Sequence, residues 1–287
     1  MSTPFVVGMP TLGGKQLWGD VLVHAGYRIQ RHVWTRHHRL LSPADLRLAW
    51  GSFETCRDTL DRLCETHGVA VQSRHLVLLL HGIFRSKDAW GPMVRALRSD
   101  GYEAHAINYP STRQSLEQHA DQVQALLDNA RDVDTVSFVT HSMGGIVARV
   151  LLARTDAAWR ERIAVNRLVM IATPNKGAEM ALRVDEVGPF RMIGGPSLAQ
   201  MRPEVAHEIP LPTVPFGVVA GMRGDGKGYN PLIAGDDDMT VSVSSALLEG
   251  AEDRLVVNAV HTFVMIHPEV VRATLRYLRT GCFADDT

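Results

Sequence analysis

Short apolar runs of strand length alternate with amphipathic stretches of helix length over most of the chain, from His75 onward. The run HLVLLL at residues 75–80 is apolar almost throughout, which is typical of a strand that is buried on both faces of a sheet. Alternation of this kind builds a mainly parallel sheet with helices on both faces, so we predict an α/β fold. The predicted strands are 75–80, 102–109, 135–140, 167–172 and 213–221, and the predicted helices are 87–99, 116–130, 144–152 and 268–279.

A serine follows the third of these strands, within the segment THSMGG at residues 140–145. Small residues after Ser142 let the chain turn sharply from strand into helix, which leaves the serine hydroxyl exposed on a strained turn. The start of the following helix directs amide N–H groups and the positive end of its dipole at the same point. Thr140 stands where the usual G-x-S-x-G pattern has its first glycine. The segment therefore predicts Ser142 as a nucleophile.

An earlier segment, HGIF at residues 81–84, directly follows the first buried strand. Acyl transfer creates a negatively charged tetrahedral intermediate, and backbone N–H groups that are already in place stabilise that oxyanion well. One such donor comes from the residue after the nucleophile and the other from the loop after this earlier strand. Those residues are Met143 and Ile83, and we predict that they form an oxyanion hole. The alternative is an ordinary strand-to-helix turn.

Three adjacent aspartates follow the 213–221 strand and a glycine-rich loop. A serine nucleophile and a histidine base need a carboxylate that fixes the imidazole tautomer and stabilises the imidazolium. We select Asp238 because the segment TVSV at 240–243 reads as the start of ordered structure, and we assign Asp236 and Asp237 to the loop. The alternative is a solvated acidic turn, and the spacing lacks the pattern of a calcium-binding loop.

Histidine is suited to be the base because its proton affinity lies near neutral pH. The order Ser142, Asp238, His261 along the chain is the order of nucleophile, acid and base expected of such a site. His267 is the competing candidate, but it precedes Pro268, the predicted first residue of the last helix, so we interpret it as a cap or surface residue. The histidines and cysteines have no metal-binding spacing, and we predict neither a metal nor an organic cofactor.

Five segments occur in one order along the chain: HGIF (81–84), THSMGG (140–145), IATPNKG (171–177), DMTVSVSSALLEG (238–250) and VHTFVMIHPEV (260–270). Together they resemble the motifs of small bacterial lipases and esterases of the α/β-hydrolase superfamily. The resemblance implies an α/β-hydrolase fold and a catalytic triad of Ser142, Asp238 and His261, with Ile83 supplying an oxyanion amide.

The resemblance has two departures, at Thr140 and Met239, where similar enzymes commonly have glycine. Neither departure removes a member of the triad, and both concern the geometry of the loops that carry it. The first 70 residues match no motif of this family.

Residues from about 175 to 215 lie between two predicted core strands, where similar enzymes carry a lid or cap. One interpretation is a groove for an acyl chain with a small mobile cover. The other is that the apolar residues complete the core beneath a connecting loop. These residues are Met180, Leu182, Val184, Val187, Phe190, Met192, Ile193, Leu198 and Met201.

Residues 1–70 differ in pattern from the rest, and we predict that they form a helical extension packed on a hydrolase domain of residues 71–287. Ser42 and Pro43 read as an N-cap followed by proline at the first helical position, which begins a helix that ends near Gly68. Apolar residues before it recur at roughly helical spacing, at Trp18, Val21, Ala25, Ile29 and Val33.

The same extension contains a basic stretch between Asp20 and Asp45, with four arginines, four histidines and no acidic residue. One interpretation is an amphipathic helix face that makes a weak contact with an anionic membrane surface. The other is a solvated charged face, which is common on helices.

Composition excludes several other classes. The 287 residues have a formal net charge of −1 and are 6% aromatic, which provides neither the basic field nor the stacking residues of a nucleic-acid-binding protein. The three cysteines, Cys56, Cys64 and Cys282, are odd in number and lack the spacing of metal ligands. We therefore expect reduced thiols. Because the sequence has no signal-peptide pattern and no apolar run of membrane-spanning length, we expect a cytoplasmic protein. No feature indicates an oligomeric state.

These features predict a serine hydrolase that cleaves a carboxylic ester, from a small molecule or a lipid, through an acyl-enzyme. The same triad also serves thioesterases, amidases and acyltransferases, and the fold does not distinguish among them. A different class is a non-catalytic binding protein on a hydrolase scaffold, which normally lacks a member of the triad.

Overall fold

The structure is a computed structural model that describes residues 9–10, 14, 16–178 and 195–284. The part of the chain before residue 52 forms an antiparallel sheet of five strands in the order β1-β5-β4-β3-β2. Its strands are β1 (Met9–Pro10), β2 (Trp18–His24), β3 (Tyr27–His32), β4 (His38–Leu41) and β5 (Leu46–Gly51).

The part of the chain after residue 74 forms a second sheet of six strands, in the order β11-β10-β9-β8-β6-β7. Every neighbouring pair in this sheet is parallel. Its strands are β6 (His75–Leu80), β7 (Glu103–Ile107), β8 (Thr135–His141), β9 (Ala164–Ile171), β10 (Phe216–Met222) and β11 (Asp253–Asn258).

Five helices of nine or more residues lie within the described part of the chain. They are α1 (Phe53–His67), α2 (Gly91–Ser99), α3 (Leu116–Asp128), α4 (Met143–Leu152) and α5 (Pro268–Thr280). Shorter helical turns are Lys87–Trp90, Ala158–Glu161, Pro203–Ala206, Val243–Ala246 and Val264–Ile266, and residues 195–200 are also helical.

Strand β6 shows why this sheet is buried on both faces. Its side chains alternate between two hydrophobic clusters, with Leu78 and Leu80 among residues of α3 and α4 on one side. Val77 and Leu79 lie among residues of α2 and α5 on the other. Because both sets of side chains leave water, the strand is apolar at every position from Leu76 to Leu80. The α/β fold predicted from the sequence is confirmed.

Strand β11 was absent from the prediction. It lies at the edge of the sheet and pairs only with β10 among the described strands. Of its six residues only Val257 is buried. An edge strand keeps polar residues on its open side, so its apolar signal is weak.

The predicted helical character of the N-terminal extension is wrong for most of its described residues, which form β2 to β5. Strand β2 packs against α3 and also contributes Val21 and Leu22 to a cluster with residues of α1. A strand covered on both sides loses the alternation of polar and apolar residues, and its spacing then imitates a helix. The turn at Ala25 and Gly26 has positive φ at both residues, as a tight β-hairpin requires.

The predicted helix from Ser42 begins ten residues later than expected. Ser42 accepts the amide of Leu46 in a turn that leads into β5, and Asp45 has a φ of 62°. The helix α1 follows Ser52, whose side chain accepts the amide of Thr55 at 3.1 Å. Its end at Gly68 is as predicted, because glycine takes the left-handed conformation there.

Most of the predicted cap lies outside the described residues, from Met180 to Ile193. Leu198 and Met201 are described, and they lie beside the candidate site. Among the residues that the structure covers, no helix is both long and apolar enough to cross a membrane.

Candidate active site

Ser142 lies at the junction of β8 and α4, with φ of 55° and ψ of −127°. This conformation is strained for a residue other than glycine, and it turns the chain sharply between the two elements. A Cβ built on Gly144 would lie 2.4 Å from the carbonyl oxygen of Leu80, and one on Gly82 would lie 2.9 Å from Cβ of Ser142. Glycine at 144 therefore lets α4 pack against the end of β6, and glycine at 82 lets the loop after β6 approach Ser142.

Thr140 fits where a glycine was expected. Its side chain is fully buried, and its Oγ1 donates a hydrogen bond to the carbonyl oxygen of Val169 on the neighbouring strand, at 3.0 Å. Because the hydroxyl has an acceptor, the larger residue introduces no unsatisfied polar group into the core.

Ser142, His261 and Asp238 form one hydrogen-bonded series. Nε2 of His261 lies 3.0 Å from Oγ of Ser142, and Nδ1 lies 2.7 Å from Oδ2 of Asp238. The backbone amide of His261 also donates to the carbonyl oxygen of Asp238, at 2.7 Å. The other carboxylate oxygen of Asp238 accepts the amides of Thr240 and Val241, at 3.0 and 2.8 Å. The buried carboxylate thus fixes both the tautomer and the orientation of the imidazole.

The two neighbouring aspartates build the loop instead. Asp236 accepts the amides of Arg223 and Gly224, at 2.8 and 3.0 Å. Asp237 accepts the amides of Asn230 and Met239, at 3.1 and 2.6 Å. Both carboxylates are therefore occupied by backbone donors of the glycine-rich loop, and Asp238 is the one that contacts His261.

His267 lies apart from this series. It occupies the N-cap position of α5, and its side chain makes no capping hydrogen bond. Within the described ranges, no group of three or more histidine, cysteine or acidic side chains is arranged to hold a metal ion.

The amides of Ile83 and Met143 lie on the two loops that meet at Ser142. Neither amide donates a hydrogen bond to another of the described residues. The next residue, Phe84, has a φ of 61°, and its amide donates to Oγ of Ser111 at 3.1 Å. The loop after β6 is therefore held by Phe84 while the preceding amide is left to bind another group.

A cavity of about 400 Å³ opens beside Ser142 and His261. Its walls are mainly apolar, which suits a substrate that has a hydrophobic part. The apolar residues that line it are Ile83, Phe84, Pro174, Ala178, Leu198, Met201, Met239 and Val241. Leu198 and Met201 belong to the segment 175–215, for which the sequence allowed either an acyl-chain groove or core residues beneath a loop. Both side chains form part of the cavity wall.

Two buried histidines surround the site without adding charge to it. The ring of His141 lies 4.7 Å from that of His261, and its Nε2 lies 2.9 Å from the carbonyl oxygen of His261. Burial lowers the pKa of His141 well below its usual range. Burial also lowers the pKa of His81 to about 4. Both imidazoles are therefore neutral near pH 7, and neither places a positive charge beside His261.

Hydrogen bonds connect the N-terminal sheet to the loop after β6. The sequence did not predict this connection. Asp20 on β2 is fully buried, and its Oδ2 accepts the amide of Asn108 at 2.6 Å. The side-chain oxygen of Asn108 in turn accepts the amide of Lys87, at 2.9 Å. Asp20 is thereby connected to the segment that contains Ile83.

A second connection begins at Gln16. Its Nε2 donates to the carbonyl oxygen of Arg85, and its Oε1 accepts the hydroxyl of Ser111, both at 3.3 Å. Ser111 is the residue that holds the amide of Phe84. The N-terminal part of the chain is thus linked to the candidate oxyanion loop at two points, from Asp20 through Asn108 and from Gln16 directly.

Comparison with known proteins shows an α/β-hydrolase fold. The structure resembles a mature lipase of Bacillus licheniformis, with a TM-score of 0.55, 18% identity and a match that covers 66% of this chain and 85% of the lipase. It also resembles the phospholipase PlaB from Legionella pneumophila, with a TM-score of 0.57, 15% identity and 72% of this chain covered. The chain spans 59% of that phospholipase.

A family model described as a domain of unknown function, DUF7379, matches residues 46–186. The match includes β5, α1 and Ser142, and it ends before Asp238 and His261. No curated protein is significantly similar in sequence.

Proposed function

We propose that the protein is a serine hydrolase that cleaves carboxylic esters through an acyl-enzyme. The observation that carries the proposal is the unbroken series from Ser142 through His261 to Asp238, placed on a strained turn beside an apolar cavity. Nucleophile, base and orienting carboxylate are the parts that acyl transfer requires. Hydrolases of the same fold named lipase and phospholipase are consistent with an ester substrate.

In the first step, Oγ of Ser142 attacks the ester carbonyl carbon while Nε2 of His261 accepts the hydroxyl proton. The carbonyl oxygen becomes negatively charged and receives hydrogen bonds from the amides of Ile83 and Met143. Asp238 stabilises the imidazolium of His261 through the bond to Nδ1.

In the second step, the bond from the carbonyl carbon to the alcohol oxygen breaks, and His261 returns the proton to the leaving alcohol. The acyl group now remains on Ser142. His261 then accepts a proton from a water molecule as that water attacks the acyl carbon, and the acid is released with Ser142 restored.

The test is reaction with a fluorophosphonate probe, which labels an activated serine. We expect the wild type to be labelled and to hydrolyse p-nitrophenyl esters, and we expect Ser142→Ala and His261→Ala to do neither. Ser244→Ala is the matched control, because Ser244 is an exposed serine outside the series. An esterase activity that survives Ser142→Ala in full contradicts the assignment.

The acyl group that the cavity accepts is measured with a chain-length series of p-nitrophenyl esters. Parallel assays with acyl-CoA thioesters and simple amides separate an esterase from a thioesterase or an amidase. Because the cavity is apolar, we expect faster turnover of esters whose acyl chain is longer than acetyl than of the acetate ester.

A further inference from the structure

Aromatic and imidazole rings cover the solvent-accessible part of the face of the N-terminal sheet that is turned away from α1. Arg39 and Trp50 are paired across β4 and β5, and they alternate with Leu40 and Ala49, which pack with α1. We call this surface the outer aromatic face. Its members are Trp18, His32, Trp34, His37, Arg39 and Trp50.

The outer aromatic face is held together by ring contacts. The ring of Trp18 lies 4.8 Å from that of His32 and 5.2 Å from that of His37, and His37 lies 5.4 Å from Trp50. The guanidinium of Arg39 lies 4.1 Å from the centre of the Trp18 ring. The surface is therefore preorganised rather than a set of independent side chains.

Two tryptophans of this face are exposed to solvent. Trp34 is 65% exposed and Trp50 is 62% exposed. Exposed tryptophan is costly in water, and the indole ring prefers a boundary between an apolar and an aqueous phase. Two such side chains on one preorganised face indicate a binding surface rather than scattered exposure.

The charge around the outer aromatic face is positive. Of the four arginines in residues 21–44, Arg28 is buried and ion-paired with Asp20 and Asp45, so the positive charge near this face comes from Arg31, Arg36 and Arg39. Arg36 is exposed in the same hairpin loop as Trp34, and Arg39 lies within the face. Tryptophan at an apolar boundary combined with arginine suits a surface of anionic lipid headgroups.

Residues that neighbour the outer aromatic face are connected to the wall of the catalytic cavity. Gln16, two residues before Trp18, contacts Arg85, which lines the cavity. The hairpin loop is close to the cavity wall as well, because Arg36 borders a cleft with Gln114. The carbonyl oxygen of Gln114 accepts the hydroxyl of Ser197, one residue before Leu198 of the cavity wall.

We propose that the outer aromatic face docks the protein on an anionic lipid bilayer, with Trp34 and Trp50 at the headgroup boundary and Arg36 on phosphate groups. The docking proposal does not depend on ester hydrolysis, since it rests on the N-terminal sheet alone.

The experiment is co-sedimentation of the full chain with vesicles of phosphatidylcholine alone and of phosphatidylcholine mixed with phosphatidylglycerol. The Ser142→Ala protein is used as the background so that lipid is not consumed. We expect binding to the anionic vesicles that weakens as salt is raised, and little binding to the neutral ones. Trp34→Ala combined with Trp50→Ala should lower the partition coefficient roughly tenfold or more, and Arg36→Gln should lower it about fivefold.

Two matched controls lie away from the outer aromatic face. Leu211→Ala removes an exposed apolar side chain from the segment that precedes β10, and Arg95→Gln removes an exposed arginine of α2. Both should bind vesicles as the background protein does. Equal binding to neutral and anionic vesicles, or binding that survives the tryptophan changes, overturns the proposal.

Absence of binding to either vesicle also overturns it, and a protein partner then becomes the better explanation of the exposed rings. Fluorophosphonate labelling of the wild type is read separately. Labelled protein that ignores vesicles removes the docking surface and leaves the hydrolase proposal intact, whereas vesicle binding without labelling does the reverse.

Discussion

Met239 has a backbone conformation that favours glycine, although it carries a long side chain. Its φ is 90°, in the region that favours glycine, and its side chain is 53% exposed at the cavity. The carboxylate of the preceding residue, Asp238, reaches His261 from this turn. The turn therefore has to keep its conformation, although that conformation is strained at Met239. Strain of this kind costs of order 1–2 kcal/mol for a residue with a Cβ.

Met239→Gly should therefore raise the free energy of unfolding by about 1 kcal/mol, since glycine takes this conformation without the Cβ clash. Met239→Ala is the matched control, because it removes the same side chain and keeps the Cβ. Urea unfolding of the three proteins measures the difference. Equal stabilities for the glycine and alanine variants would show that the conformation at this position carries no cost.

Asp238 is distinguished from its neighbours only by what its carboxylate contacts. Asp238→Asn should lower kcat by roughly 10³–10⁴-fold with little change in folding, because the amide favours the wrong tautomer of His261. Asp236→Asn is the comparison, since its carboxylate binds backbone amides of the loop. A steady-state rate with p-nitrophenyl ester is the measurement, and a larger loss for Asp236→Asn would contradict the assignment of Asp238.

At the scale of elements, the N-terminal sheet and the parallel sheet meet at the loop after β6. Asp20 reaches this loop through Asn108 and Lys87, and Gln16 reaches it through Arg85. The antiparallel sheet therefore supports the segment that carries the amide of Ile83, as well as adding a surface of its own.

Asp20→Asn should lower kcat by about 10- to 100-fold with KM nearly unchanged, because a small displacement of a transition-state donor costs rate and not substrate binding. The affinity for a boronic acid, which resembles the tetrahedral intermediate, should fall in parallel with kcat. A loss of thermal stability alone, with kcat and boronic acid affinity unchanged, would mean that Asp20 is only structural.

Asp61→Asn is the matched control for this prediction. Asp61 is an aspartate of the same N-terminal part of the chain, on α1, and its carboxylate pairs with Arg131. Among the described residues it makes no hydrogen bond to the loop after β6. Its variant should keep the kcat and the boronic acid affinity of the wild type.

On the scale of the whole molecule, three histidines are buried in the core around the site. Burial lowers the pKa of His81 to about 4 and that of His119 to about 3, and it lowers the pKa of His141 well below its usual range. In the unfolded chain the same side chains titrate near 6.5. Between these values the unfolded state binds more protons than the folded state, so stability falls as the pH is lowered.

His119→Leu removes one of these three histidines, and with it one proton that the protein takes up on unfolding at low pH. The slope of the unfolding free energy against pH should decrease by about 1.4 kcal/mol per pH unit between roughly pH 4.5 and 6. Urea unfolding across this range measures the slope. Above about pH 7.5 the histidines are neutral in both states, so the two curves should run parallel there. Identical slopes at low pH would mean that His119 does not resist protonation in the folded protein.

Much of the parallel sheet and of the site was readable from short segments. The alternation of apolar runs and helices predicted five strands of the parallel sheet, β6 to β10, and the helices α2 to α5, because burial on both faces leaves a local signal in five or six residues. The glycines after Ser142 and the histidine at 261 were predictable from other local signals. A sharp turn beside a strand needs small residues at fixed positions, and the chain order then narrows the choice of base.

The tertiary structure alone decided the rest. The strands of the N-terminal sheet imitate helical spacing because β2 is covered by α1 and α3 at once, and no local pattern records a neighbour that lies 100 residues away. The choice of Asp238 among three aspartates depends on where each carboxylate points once the loop is closed. The support of the β6 loop by Asp20 and Gln16 joins residues 69 or more positions apart. Local sequence determines which elements form and which side chains could serve as nucleophile, base or carboxylate. Long-range packing determines which of these side chains come into contact.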